Sequence, residues 1–278
     1  MDKLHLQKIA LEIRKGALTA VYTAASGHTG GSLGIAELLA YLYFEEMHVD
    51  PKNPKDPDRD RFVLSKGHTS PALYAALAEK GFFPKEDLKT FRQKDSYLQG
   101  HPDMKHIPGV DMSTGSLGQG ISAACGMALS GKISEKKYRV WTILGDGECE
   151  EGQEWEAAMF AAHYGLNNLC AFVDFNGLQI DGAVTEVMNP TPLDTKFAAF
   201  GWNTLVIDGH DFDQIASAVE AAKRSAKPTA VICKTTKGKG VSYMENVCAW
   251  HGSAPKTEQY EQGMRELEEA EKALLANV

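Results

Sequence analysis

Asp146 stands between two glycines, where the apolar run Arg139-Val140-Trp141-Thr142-Ile143-Leu144 gives way to Gly145-Asp146-Gly147-Glu148-Cys149-Glu150-Glu151-Gly152. The run reads as a strand, and the stretch 152–165 that follows reads as a helix. A helix N-terminus at a strand end attracts anions, yet Glu148, Glu150 and Glu151 would repel a bare phosphate. A divalent cation resolves the conflict: Asp146 supplies a hard oxygen to Mg²⁺ while the cation holds the phosphates. A second run, Leu169-Cys170-Ala171-Phe172-Val173, leads into Asp174-Phe175-Asn176-Gly177-Leu178, which brings the Asn176 amide oxygen to the same sheet edge. The plainer alternative is a Gly-Asp-Gly turn whose glutamates only favour the helix dipole.

Other chemistries fit less well. Gly126-Met127-Ala128-Leu129-Ser130-Gly131-Lys132 has P-loop spacing, but Ile133 replaces the hydroxyl residue that would hold magnesium, and no strand precedes it. Gly145-Asp146-Gly147 would need a glycine at 150 for a dinucleotide fingerprint and has Glu150. No HExxH occurs. The five cysteines (Cys125, Cys149, Cys170, Cys233, Cys248) are odd in number, scattered and never CxxC, which reads as reduced thiols and assigns no nucleophile. Of the nine histidines, His5, His48, His106 and His163 match no motif, and His210 reads as part of the turn before a helix cap at Asp211.

The elements that must position these residues follow from periodicity. Leu4 to about Ala25 spaces its apolar residues as a helix, a second helix runs from about Ile35 to Met47, and three prolines keep 50–58 irregular. Phe62-Val63-Leu64-Ser65 is a short apolar run; helices are predicted at 71–80, 84–94 and 121–131, with glycine loops at 100–102 and 115–120. Strands at 139–144, 169–173, 204–207 and 228–233 alternate with helices at 152–165 and 212–225. Continuous apolar strands separated by helices predict an α/β fold, a mostly parallel sheet with helices on both faces. Ligands of such sheets gather at the carboxyl ends of the strands. A charged helix from about Lys256 carries Tyr260, Met264, Leu267, Leu274 and Leu275 on one side, fit to cover this domain or a partner.

The chain has 278 residues, 43% of them hydrophobic and 24% charged, enough for a sizeable core and unlike a disordered segment. Its net charge, 29 − 37 = −8, argues against nucleic acid as a partner. No apolar run is long enough to span a membrane, and the opening Met1-Asp2-Lys3-Leu4-His5 matches no secretory or transit leader. A cytoplasmic location is expected.

Gly145-Asp146-Gly147 with 28 residues before Asn176 resembles the signature of thiamine-diphosphate enzymes. The longer text through Glu156-Ala157 resembles transketolase, as do Ser26-Gly27-His28-Thr29-Gly30, Leu64-Ser65-Lys66-Gly67-His68, Gln99-Gly100-His101-Pro102, Ser113-Thr114-Gly115-Ser116-Leu117-Gly118-Gln119-Gly120 and His251-Gly252. Each motif is weak alone, but they occur in family order over nearly the whole chain. The resemblance implies a thiamin-diphosphate-binding fold, with 1–278 a single diphosphate-binding domain ending in a helical tail at about 256–278. It implies that Asp146, Asn176 and the Leu178 carbonyl bind Mg²⁺ (or Ca²⁺ or Mn²⁺), and that Gly147 lets the backbone approach the diphosphate. His68 and His251 match diphosphate contacts; Gly115, Ser116 and Leu117 match the loop beside the aminopyrimidine. His28, His101 and His251 match histidines of the sugar channel, and His28, His68, His101 and His251 together form the expected catalytic set. Glu151 and Glu156 match acidic interface residues. The text departs from the family's at Thr29 and Ser116, where proline is frequent, and at Gly31-Ser32, where Ala-Pro is. Lys237 replaces a common aliphatic residue and is expected to be solvated rather than to reach a phosphate.

The implied activity is transfer of a two-carbon ketol unit from a ketose phosphate to an aldose phosphate, as in the pentose phosphate pathway, with imidazoles moving protons near neutral pH. The family's pyrimidine-binding domain is not found in this sequence. A C-terminal partner subunit is therefore expected to supply it, in a heterotetramer of two copies each. Deoxyxylulose-phosphate synthase-like, 2-oxo acid dehydrogenase alpha-like and non-catalytic regulatory subunits remain as alternatives.

Overall fold

Strands built of β-branched and aromatic residues with no polar face can exist only where both faces are covered. The computed structural model, which describes residues 1–276, shows such a sheet. The elements in chain order are α1 (Lys3–Ala24), α2 (Gly30–Leu33), α3 (Ala36–Tyr41), β1 (Arg61–Leu64), α4 (Ser70–Lys80), α5 (Gly120–Ile133), β2 (Val140–Gly145), α6 (Gly152–His163), β3 (Leu169–Phe175), β4 (Leu178–Gln179), β5 (Gly182–Ala183), α7 (Val184–Val187), α8 (Leu193–Ala199), β6 (Asn203–Asp208), α9 (Phe212–Arg224), β7 (Thr229–Lys234) and α10 (Thr257–Ala276). Five strands pair in parallel in the order β1-β2-β3-β7-β6, and β4 and β5 form a separate antiparallel pair.

Alternation along each strand sorts the core into two layers. Trp141, Ile143, Cys170, Phe172, Val231 and Cys233 pack with buried residues of α1, α3, α4 and α9. Val140, Leu144, Leu169, Ala171, Val173, Ala230 and Ile232 pack with those of α5, α6 and α8. The two-sided covering expected from the apolar runs is therefore met by β1, β2, β3 and β7, whereas the edge strand β6 leaves Val206 half exposed. α10 lies on α1: Leu267 is fully buried beside Leu18 and Leu33, and the Tyr260 ring stacks on Tyr22 with centroids 4.0 Å apart. Its stripe covers this domain rather than standing free, although Leu275 is exposed. The predicted tail to 278 runs two residues beyond the described ones.

Three local readings differ. The predicted helix over 84–94 is a 3₁₀ segment, Lys85–Thr90, followed by turns in which Arg92 and Asp95 take left-handed φ angles of 57° and 66°. A helix cannot pass through such residues. The second helix converts to a π-helical turn, Leu42–Glu46. The glycine cluster hides the short α2. The short β4–β5 pair and α8 were too brief and too weakly patterned to be read.

Candidate active site

Every strand of the main sheet points its carboxyl end the same way, so the segments after β1, β2, β3 and β7 meet in one cavity. It is lined by Lys66 and His68 after β1, Asp146 and Gly147 after β2, and Asp174, Asn176 and Leu178 at the end of β3. Lys237 and His251 come from the segment after β7, and Leu117 and Ile180 stand at its wall. Glu148 fastens the rim. One carboxylate oxygen accepts from the Ser65 hydroxyl at 2.6 Å and the Gly118 N–H at 3.0 Å, and the other from the Gly145 N–H at 2.9 Å. The glycine loop lies against β1 so closely that a Cβ at Gly120 would come 2.6 Å from the Ser65 Cα, which only glycine permits.

Beside Glu148, two further acids and two lysines share this small buried volume. Asp174 is wholly buried and takes hydrogen bonds from the Lys66 ammonium and the Thr235 hydroxyl. Burial alone would raise its pKa, but the Lys66 charge and these bonds bring it below the ordinary carboxylate range. Asp146, 3% exposed, accepts from the Gly147 N–H at 2.8 Å and the Gly177 N–H at 2.6 Å. Burial, and then the charge of Asp174, push it up to about 6. The Asn176 amide donates to Asp174 at 3.0 Å, and its oxygen accepts from the Leu178 N–H at 3.1 Å.

Lys237 overturns the expectation of a solvated side chain. It is 2% exposed, and its ammonium donates to the Leu178 carbonyl at 3.0 Å and to His251 Nδ1 at 3.1 Å. The glycines that follow it, Gly238 and Gly240, made its segment look like an open loop. Instead the segment folds under α2, with the Gly238 N–H donating to the Gly30 carbonyl at 2.8 Å. Burial lowers its pKa, but it remains a donor. Because His251 Nδ1 accepts, the His251 proton sits on Nε2.

Three of the four predicted histidines form one cluster. The rings of His28, His68 and His251 lie 5.0–5.3 Å apart in each pairing. Burial first, then neighbouring cations, hold all three below the usual imidazole value: His28 at about 4, His251 at about 3 and His68 well below. They are uncharged at pH 7. His101 is set apart. It packs on Gly115, where a Cβ would lie 2.9 Å from its ring, and lines a neighbouring cavity with Gly115 and Ser116. Of the 115–117 loop, Leu117 alone reaches the main cavity. Glu151 and Glu156 are exposed near the start of α6. Sequence reading missed Lys66 and Asp174 as site residues. The available signal was a charge at or just past the carboxyl end of each of two apolar runs, Phe62-Val63-Leu64 and Leu169-Cys170-Ala171-Phe172-Val173.

The family model described as "Transketolase, thiamine diphosphate binding domain" matches residues 6–271. The chain belongs to this transketolase family. It is 50% identical over 268 residues to the 6-deoxy-6-sulfo-D-fructose transketolase subunit of Clostridium sp. (strain MSTE9), covering 96% of this chain and 98% of that protein. It is 43% identical over 257 residues to an apulose-4-phosphate transketolase subunit of Phocaeicola vulgatus, covering 92% and 91%. The solved transketolase of Campylobacter jejuni superposes with a TM-score of 0.91 at 34% identity, over 96% of this chain and 43% of that one.

The residues present fit the cation and diphosphate that this family binds. No group of three His, Cys, Asp or Glu side chains suited to a metal occurs among the described residues. Asp146, Asn176 and Leu178 offer a different kind of set, one carboxylate, one amide oxygen and one main-chain carbonyl, hard oxygens of the kind Mg²⁺ and Ca²⁺ take. The Leu178 carbonyl already faces a positive charge, the Lys237 ammonium, inside the cavity. No helix of the described residues is long and apolar enough to cross a membrane.

Proposed function

We propose that this chain is the diphosphate-binding, N-terminal subunit of a split transketolase. It transfers a two-carbon ketol unit from a ketose phosphate to an aldose phosphate, together with a partner subunit that carries the pyrimidine-binding domain. One observation carries the reading: the relatives that match over nearly their whole length, 98% and 91%, are named as transketolase subunits. Full-length transketolases such as the mouse enzyme match over only 42% of theirs. Thiamine diphosphate, when bound, supplies the centre that stabilises the charge left as a C–C bond beside a ketose carbonyl breaks.

The chain's own groups hold and orient. Asp146, Asn176 and the Leu178 carbonyl would ligate Mg²⁺, Ca²⁺ or Mn²⁺. Lys66, Lys237, His68 and the Gly147 backbone face the diphosphate, while Gly115, Ser116 and Leu117 support the aminopyrimidine side. The imidazoles of His28, His101 and His251 exchange protons with sugar hydroxyls, a task for uncharged rings near pH 7. Exposed Glu151 and Glu156 lie where subunits meet. Two copies of each chain, a cytoplasmic location and the pentose phosphate pathway complete the proposal. A second reading of the substrate follows from the Clostridium relative, whose name specifies a sulfonated ketose: the acid end of the donor is a sulfonate instead of a phosphate.

The test is a mixing experiment. Ketol transfer should be weak with this chain alone and strong with the partner subunit, with phosphorylated and sulfonated ketoses compared as donors. Asp146→Ala should abolish metal-dependent thiamine diphosphate binding by the complex. Full turnover by the chain alone, or undiminished calorimetric affinity in the variant, sinks the respective assignment.

A further inference from the structure

His210 lies in the turn between β6 and α9 and does not line the cavity, yet both its ring nitrogens are committed. Nε2 accepts from the Thr236 N–H at 2.9 Å, and Nδ1 stands 3.0 Å from a Glu37 carboxylate oxygen. Since Nε2 accepts, Nδ1 carries the proton and donates to Glu37. Glu37 is held in turn by Arg14, whose NH2 donates at 2.6 Å and whose Nε donates to the Leu33 carbonyl at 3.1 Å. Arg14 and Glu37 are 4% and 7% exposed. A continuous chain of bonds, buried at Arg14 and Glu37 and half-buried at His210 and Thr236, thus runs from α1 through α3 to the segment after β7.

That segment is pinned at three successive residues. Thr235 bonds Asp174 through its hydroxyl and the Phe175 carbonyl through its N–H at 3.2 Å. Lys237 ends on the Leu178 carbonyl and His251. Thr236, between them, is held by His210 from outside the cavity, and it fits so tightly that a Cβ at Gly34 would come 3.0 Å from its carbonyl oxygen.

We propose that His210 is a positioning residue: by holding Thr236 it fixes where the Lys237 ammonium stands and thereby tunes the cavity's grip on a diphosphate. The proposal rests on the diphosphate-binding reading given above. A long lysine side chain has several rotamers to lose, and an anchored main chain spares it part of that ordering at the moment of binding. The competing possibility is that His210 only closes the β6–α9 turn. In that case its loss would lower stability without regard to Lys237.

The experiment is calorimetric titration of the purified chain with inorganic pyrophosphate in the presence of Mg²⁺, with a thermal melt of each variant. His210→Leu should weaken pyrophosphate about tenfold or more, the scale of one charge-assisted hydrogen bond misplaced. His210→Gln, whose amide can accept from Thr236 and donate to Glu37, should keep most of the affinity. Lys237→Met should weaken binding similarly, and adding His210→Leu to it should cost nothing further. Equal losses in the Lys237 and Lys237→Met backgrounds, or no loss, overturn the positioning role. Absence of binding by the unaltered chain overturns the diphosphate reading along with it.

Discussion

At Asp146 the cavity buries the carboxylate proposed to hold the cation. Burial and the neighbouring Asp174 raise it to about 6, so in the free chain the proton-bound form is favoured below about pH 6 and the ionised form above it. A folded-state value above the unfolded one contributes stability that is present at low pH and is lost as pH rises through about 6. Cation binding needs the ionised form and strengthens over the same interval. The rise in melting temperature caused by Mg²⁺ with pyrophosphate should therefore grow between about pH 5 and pH 7 and then level off, a unit either side of that value. A rise that is flat across this interval would show that Asp146 is not the group being titrated. The residue was readable because a lone acid between glycines at a strand end has few structural uses. Lys237 was not, because sequence shows the glycines that follow it and not the main-chain bond from Gly238 to Gly30 that turns its segment inward.

Elements follow the same division. Strands β2, β3 and β7 were legible as uninterrupted apolar runs, since a strand covered on both faces needs no polar residue; β1 showed only as a short apolar run, and β6 lies at the sheet edge with Val206 half exposed. The segment 84–94 was not, because its spacing suits a helix while the left-handed Arg92 and Asp95 are set by packing and by the Arg92 N–H bond to the Leu98 carbonyl at 2.8 Å. Helix α6 carries a further oddity. Glu154 is wholly buried in its first turn, and neither carboxylate oxygen has a hydrogen-bond partner. Burial, and then Glu148 and Glu151, hold its pKa well above the ordinary value. Leaving such a group unpaired costs about 1–3 kcal/mol. Glu154→Leu, close in volume, should stabilise the chain by about that amount in urea unfolding. The gain should widen as pH rises, because a raised folded-state value loses stability in that direction. A less stable leucine variant would mean that the carboxyl does have a structural task.

For the whole molecule the decisive feature is that β1, β2, β3 and β7 all end at one edge and deliver a matched set of charges there. Asp146 and Asp174 stand against Lys66 and Lys237. With both acids ionised, these four charges cancel before anything enters the cavity, and Glu148 at the rim is the remaining acid of the lining. A bare cation must compete with Lys237 for the Leu178 carbonyl, and a bare diphosphate must approach two carboxylates. Either ligand alone disturbs the balance, whereas the two together nearly restore it. The site is thereby built as an AND gate: magnesium and diphosphate should each bind poorly alone and raise the other's affinity by the same factor, as linkage requires. Titrating each with and without the other would measure that factor, and a value near one would mean that the matched charges do not govern loading.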